Sequence, residues 1–247
     1  MPRTSLRTLR RLLYRVPSST YNHASARNLV RFGELTAAMA QPAAILNVGG
    51  GGRGLPDAIT RAAGPRGVVN IDITRDPAVT CRADALRLPF ASGSFDGVLS
   101  TAVLEHLPTP QAAIDEMGRV ARPGALLYIE VPFLQGYHAS PDDYHRFTSS
   151  GLRHAFRAHH DVDVGVCAGP SSALTWILRG YLKGLLSGFS RRRRLELAAD
   201  FVAGWLTAPV KFLDRLVAER PAAEDFASAF YVLARAGAGE AGSPSAG

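Results

Sequence analysis

One bend constrains this chain more than any other feature. Residues 45–54 read ILNVGGGGRG, a short apolar run followed by five glycines in six positions. Glycine loses more backbone entropy on folding than other residues and packs nothing. A cluster of it marks a place where the main chain must turn sharply or meet something closely. In an open α/β sheet, a strand that runs into a glycine-rich turn and then a helix presents backbone N–H groups to a nucleotide-like ligand. Gly49, Gly51 and Gly54 fit G-x-G-x-x-G, and Asp72 follows 18 residues after Gly54, at the end of the next apolar run. A carboxylate there accepts hydrogen bonds from ribose hydroxyls. These residues serve an adenosyl ligand and a nicotinamide dinucleotide equally well, and an NAD(P)-dependent oxidoreductase stays open on them.

The surroundings extend the pattern. Residues 44–48 are expected as a strand, 55–63 as a helix, 67–73 (GVVNIDI) as a strand, 80–83 as a short strand and 95–100 (FDGVLS) as another. A helix is expected over 110–121, with Pro110 in its first turn, where proline is tolerated. Pro123-Gly124 should then break the chain before a strand at 125–131 (ALLYIEV). Strands alternating with helices predict a parallel sheet covered on both faces. A polar, aromatic loop follows at 132–147, then a helix at 149–159, a strand near 162–168, an apolar helical stretch at 171–219 and a final strand at 226–234 (FASAFYVLA). This divides the chain into a basic, helical segment at 1–41, a domain at 42–236 with 171–219 as an insertion, and a tail at 237–247 that is disordered by composition.

Charge and cysteine content narrow the function classes. The net charge of +7 comes almost wholly from arginine, concentrated in the first 15 residues and in Arg191–Arg194. The glycine-rich centre is nearly neutral, and no groove-reading module or aromatic-basic interleaving is visible, so no specific nucleic-acid partner is expected. Cys81 and Cys167 are the only cysteines. They make neither a disulfide framework nor a spaced zinc set, so no metal is expected and a reducing, cytoplasmic location is. The arginine-rich N-terminus lacks the apolar stretch of a secretory signal, and no uncharged run reaches the length of a membrane span.

Downstream residues choose between the two cofactor classes. Residues 83–131 read ADALRLPFASGSFDGVLSTAVLEHLPTPQAAIDEMGRVARPGALLYIEV. The chain closely resembles the class I S-adenosylmethionine-dependent methyltransferases, the type-11 domain group in particular, over roughly residues 42–160. Asp84-Ala85 matches the family's acidic pair after its third strand. Phe95–Ser100 matches its fourth strand, Leu104-Glu105-His106-Leu107 the turn beside the methionine end of the cofactor, and Arg122-Pro123-Gly124-Ala125 the turn before strand five. The resemblance implies a seven-stranded, doubly wound, Rossmann-like α/β sheet, mostly parallel with its last strand antiparallel. It implies S-adenosyl-L-methionine as cofactor, held by Asn47, Gly49, Gly51, Asp72, Asp84, Ala85, Ser100, Glu105 and His106. Two positions depart from the pattern. Asn47 stands where the family carries an acid that helps fix the loop and the methionine end, and Arg53 stands where it carries the motif's third glycine. A catalytically inactive scaffold is therefore an alternative.

The acceptor is less constrained. Residues 100–103 read STAV in place of the Asn/Asp-Pro-Pro-aromatic motif of many N-methyltransferases in this superfamily, which leaves O-methylation of a small molecule, sugar or lipid-linked intermediate as the mild preference. His138 and His106 are the candidate proton acceptors, since histidine titrates near neutrality. His145 and Arg146 are expected to tie the loop down. In 171–219, apolar residues recur at helical spacing beside four arginines and two tryptophans, with Pro209 expected to divide the second helix. Such a stretch serves as a packed lid, as a homodimer interface, or as a peripheral contact with a membrane surface.

Overall fold

The structure, a computed structural model, describes residues 16–22, 24–52, 54–190 and 192–237. The N-terminal arginines, Arg53, Arg191 and the tail from residue 238 lie outside the described residues. The chain divides into two compact units. Among the described residues, one comprises 24–133, 137–167 and 229–237, and the other 16–22, 134–136 and 168–228.

The first unit is a seven-stranded sheet with the order β3-β2-β1-β4-β5-β7-β6. Its strands are β1 (Ile45–Val48), β2 (Val68–Asp72), β3 (Cys81–Arg82), β4 (Phe95–Thr101), β5 (Ala121–Pro132), β6 (His160–Ala168) and β7 (Ala229–Arg235). Strands β1 to β5 pair in parallel, and β7 runs antiparallel to β5. Successive residues of a strand face opposite sides, so the unbroken burial of β1 and of Phe95–Ser100 means that both faces of the sheet are covered. That is the condition under which a parallel sheet is stable.

The covering helices are α1 (Ser25–Met39), α2 (Asp57–Ala63), α3 (Pro110–Val120) and α4 (Ser149–Ala155). Phe32 of α1 is fully buried with Ile45, Ile59, Leu99, Leu126 and Tyr128. Two glycines allow α1 to come this close. A Cβ on Gly33 would stand 2.7 Å from the backbone of Ala58, and one on Gly97 would stand 2.8 Å from the ring of Phe32.

Several boundaries differ from expectation. β5 begins at Ala121, and Pro123-Gly124 interrupts pairing rather than the strand: Phe95 opposes Ala121, whereas Gly97 opposes Leu126. Proline supplies no ladder N–H, and Gly124 sits at φ +80°, so the extra residues loop out. Helix α2 starts after Pro56 rather than at Leu55, and α4 ends at Ala155, short of His159.

The second unit is helical: α5 (Pro170–Ser187), α6 (Arg193–Thr207), a 3-10 turn (Val210–Leu213) and α7 (Asp214–Val217). The buried Asp214 carboxylate accepts hydrogen bonds from Ser171 N at 2.7 Å, Ser172 N at 3.0 Å and Ser172 Oγ at 2.6 Å. It thereby satisfies N–H groups that the first turn of α5 leaves without partners, at the end of the helix that favours negative charge. Gly188 closes α5 in the left-handed region (φ +60°), and Phe189 N donates back to Gly184 O at 2.7 Å. Arg179 of α5 grips Asp200 of α6 through two bonds of 2.9 and 2.7 Å. The helical stretch does divide near Pro209, as expected.

Candidate cofactor and acceptor site

The sheet order reverses direction between β1 and β4, and ligands in open α/β sheets bind beyond the carboxyl ends of strands at such a point. Val48 and Ser100 end β1 and β4 side by side there, joined by the Ser100 hydroxyl, which donates to Val48 O at 3.1 Å.

The glycine bend is shaped by two positive-φ residues, Gly49 (φ +70°) and Gly51 (φ +49°). A Cβ on Gly49 would lie 2.2 Å from Val103 Cγ2, and one on Gly50 would lie 2.0 Å from Asn70 Oδ1. No larger residue fits at either place. Asp72 Oδ2 accepts from Gly51 N at 3.0 Å, while Oδ1 accepts from the Thr74 amide at 2.8 Å and its hydroxyl at 2.7 Å. The carboxylate is thus anchored at the strand end with acceptor capacity remaining, since two oxygens offer about four lone-pair sites.

Asn47 has a clear local task. Buried beneath the bend, its Nδ2 donates to Asn70 Oδ1 at 3.0 Å, and Asn70 Nδ2 donates in turn to Gly51 O at 2.9 Å and to Ala78 O at 2.8 Å. A two-amide chain therefore holds the loop where the family pattern has an acid. Asp84 is exposed and accepts from Leu86 N at 2.9 Å in a local turn, with Ala85 buried beside it.

The third part of the site follows β4. Ala102 takes a left-handed conformation (φ +57°), uncommon for a residue with a Cβ and costly enough to mark a functional bend. The 3-10 turn Leu104–His106 comes directly after it. The loop at 137–147 is fastened to this turn, because Tyr144 N and His145 N both donate to Glu105 O, at 2.7 and 3.2 Å. His145 also contacts Pro108 O, and Arg146 Nη2 donates to Asp143 Oδ2 at 2.6 Å, with a second bond to Oδ1. Those hydrogen bonds from Arg146 hold the Asp143 carboxyl well below the usual carboxylate range, and Asp143 in turn raises the guanidinium. Asp143 Oδ2 accepts from His138 N at 2.8 Å, which fixes the loop backbone at His138.

This bracing brings His138 to the adjacent pair Glu105-His106, a meeting that no sequence spacing signals. His106 Nε2 and His138 Nε2 lie 3.8 and 3.7 Å from Glu105 Oε1, and the two imidazoles meet edge to face with centroids 5.5 Å apart. Glu105 is fully buried, and neither of its carboxylate oxygens has a hydrogen-bond partner among the described residues. Rules for metal ligands in sequence rest on short repeats such as H-x3-H, and His138 comes from a loop 32 residues beyond His106. Only the paired glycines and acids of the first half carried a local signal.

Comparison with known proteins places the sheet. Residues 46–129 match the family model described as a methyltransferase domain. An uncharacterized methyltransferase of Mycobacterium tuberculosis is 33% identical over 147 residues, covering 51% of this chain and 56% of that protein. One from Mycobacterium sp. (strain KMS) is 38% identical over 94 residues, covering 33% and 36%. An uncharacterized chloroplastic methyltransferase of Arabidopsis thaliana is 46% identical over 52 residues, 21% of this chain and 15% of that one. The chain therefore spans from about a seventh to just over half of these relatives. Among solved structures, a protein designated a sarcosine dimethylglycine methyltransferase from Galdieria sulphuraria aligns with a TM-score of 0.51 at 14% identity, over 86% of this chain and 85% of that one. The [4+2]-cyclase SpnF aligns at 0.50 with 18% identity, over 84% and 80%. The two share the fold under names of different reactions, so the reaction has to be argued from the site.

Proposed function

We propose, from the match of residues 46–129 to the methyltransferase-domain model, that the chain transfers a methyl group from S-adenosylmethionine to an oxygen of a small molecule, sugar or lipid-linked acceptor. The observation that carries this reading is the bend after β1. Its main chain is stripped of side chains at Gly49–Gly52 and closes on Asp72 through Gly51 N. The residues fit the cofactor: the bare backbone leaves room for the methionine portion, Asp72 has acceptor capacity for ribose hydroxyls, and Asp84 with Ala85 offers an acid and an apolar wall for the adenine. Ser100, Glu105 and His106 would line the methionine end. When bound, the cofactor supplies an activated methyl group on a sulfonium, and the protein's share is position and exclusion of water.

The chain's own residues then handle the acceptor. His106 Nδ1 lies 2.6 Å from the carbonyl oxygen of Asp142. That oxygen can only accept, so Nδ1 carries a proton, and Nε2 faces Glu105 at 3.8 Å. His138 stands across from it. Two imidazoles beside a buried carboxylate suit an acceptor that must give up a hydroxyl proton better than one that attacks as a neutral amine.

Isothermal titration separates the competing readings. The enzyme binds S-adenosylmethionine and its demethylated product at about one per chain and ignores nicotinamide dinucleotides. A dehydrogenase shows the reverse, and an inactive scaffold binds neither or fails to turn over.

The helical unit supports an acceptor presented at a membrane surface. Among the described residues no helix is long and apolar enough to cross a bilayer. Yet Leu174, Ile177, Tyr181, Leu185 and Leu186 of α5 and Val202, Trp205 and Leu206 of α6 are exposed, beside the exposed Arg192 and Arg194. Apolar surface flanked by arginine suits a helix lying in the lipid interface. Each basic residue near anionic lipid adds about 1 kcal/mol. Changing Arg191–Arg194 to serine should therefore cut flotation with anionic liposomes by tenfold or more. Unaltered partitioning would remove the membrane from the proposal.

A further inference from the structure

The Glu105 carboxylate poses a problem that cofactor binding alone leaves unsolved. A buried carboxylate ordinarily has hydrogen-bond partners, because its desolvation is otherwise uncompensated. Here both oxygens lack them among the described residues, at a fully buried position beside the braced loop at 137–147. The two histidine nitrogens that face it, at 3.7 and 3.8 Å, are beyond hydrogen-bonding reach.

Those same distances have a different meaning for a shared ion. Ligand atoms held at 2.0–2.2 Å around a tetrahedral cation stand roughly 3.4 Å from one another. The two carboxylate–imidazole separations exceed that by a few tenths of an ångström, and the three residues each offer a ligand atom within 4.8 Å of the others. We propose that Glu105 Oε1, His106 Nε2 and His138 Nε2 form a binding site for a first-row divalent cation such as Zn2+, Mn2+ or Fe2+. Two imidazoles and one carboxylate favour these ions over Mg2+ or Ca2+, which take oxygen ligands.

The neighbouring groups are arranged as such a site requires. A ligating histidine donates its other ring N–H to a carbonyl or carboxylate, which fixes the tautomer and the ring. His106 does so through Nδ1 to Asp142 O at 2.6 Å. For His138 the corresponding nitrogen faces Asp143 Oδ2 at 3.8 Å. Arg146 Nη2 donates to it at 3.4 Å, beside its bond to Asp143 at 2.6 Å. Ligation through Nε2 would put the His138 proton on Nδ1, so the Arg146 contact would have to give way and leave Nδ1 to Asp143. The backbone bonds from Tyr144 and His145 to Glu105 O hold the two ligand-bearing segments together without help from an ion. The structure thus supplies three donor atoms held near one another before any ion binds.

This has a consequence for the acceptor, which rests on the methyltransferase reading. Three protein ligands would leave coordination positions for a substrate oxygen, and a bound ion would supply Lewis-acid polarisation that lowers the pKa of a hydroxyl held there. The substrate class is then a hydroxyl compound with a second oxygen able to chelate the same ion.

The test uses the untagged full chain stripped with chelator, then loaded with Zn2+ or Co2+ and dialysed. One ion per chain is expected by elemental analysis, with a visible Co2+ spectrum reporting nitrogen ligation. Glu105→Gln and His138→Gln should each weaken binding at least tenfold, with unfolding curves recorded to show that both variants fold. Failure of the wild type to retain an ion, or retention unchanged in both variants, overturns the site. S-adenosylhomocysteine titrated into the wild type, with and without the ion, tests the methyltransferase reading separately. Cofactor binding without metal binding sinks only this inference; metal binding without cofactor binding sinks only the reading on which the substrate class depends.

Discussion

The two halves of the candidate site are built on opposite terms. On the cofactor half, from β1 to Asp72, polar side chains find partners within a few residues of the bend: Asn47 on Asn70, Asn70 on Gly51 and Ala78, Asp72 on Gly51 and Thr74. On the acceptor half, the loop around Glu105 is just as firmly braced by Asp143 and Arg146, yet the carboxylate at its centre is left unmatched. Satisfied networks define a shape. A buried carboxylate without hydrogen-bond partners among the described residues marks a place that a ligand could complete.

The largest effect should come from the cofactor half. Asp72→Ala would remove the charged acceptor to which two ribose hydroxyls donate, each bond worth about 1.5–3 kcal/mol. Affinity for S-adenosylhomocysteine should fall by at least about 100-fold in a calorimetric titration. Unchanged affinity would mean that Asp72 serves only the loop. The acceptor half should respond in stability instead. Asp143→Asn breaks the paired bonds to Arg146 and should cost about 2 kcal/mol in urea unfolding at neutral pH. The Asp143 carboxyl is depressed in the folded protein. Its contribution is therefore complete above the unfolded value of about 4 and is lost as pH falls through the lower folded value. Wild type and variant should converge in strongly acidic buffer, and a constant gap down to that pH would contradict the assignment. The smallest effect sharpens the contrast from the other side. Asn47→Asp restores the acid of the family pattern but removes the N–H that Asn70 Oδ1 accepts, at a cost of about 1 kcal/mol in stability. A more stable variant would show that the amide chain is not what holds the bend.

How much of this was legible in the sequence follows the same division. The strands beneath the bend could be read because each is a short apolar run closed by a turn signal, and β1, β2, β4 and β7 fall within a few residues of where the pattern puts them. The candidate cofactor residues lie at or near strand ends, so the alternation that locates the strands also locates Gly49, Gly51, Asp72 and Ser100. Asn47 was legible only as a departure; its tie to Asn70, 23 residues away across parallel strands, needed the register of β1 on β2. The pairing of His106 with His138 depends on a loop whose path is set by Glu105 O and Asp143, and loops carry no periodicity from which a path can be inferred. β5 shows the limit for strands as well, since Pro123-Gly124 signals a break that the sheet absorbs as a bulge.

A crystal grown with S-adenosylhomocysteine tests most directly whether the bend after β1 carries the adenosyl group. Ribose hydroxyls within hydrogen-bonding distance of Asp72, adenine beside Asp84 and the homocysteine end facing Glu105 and His106 are the predicted result. Ligand bound elsewhere, with Asp72 contacting only Gly51 and Thr74, would contradict it.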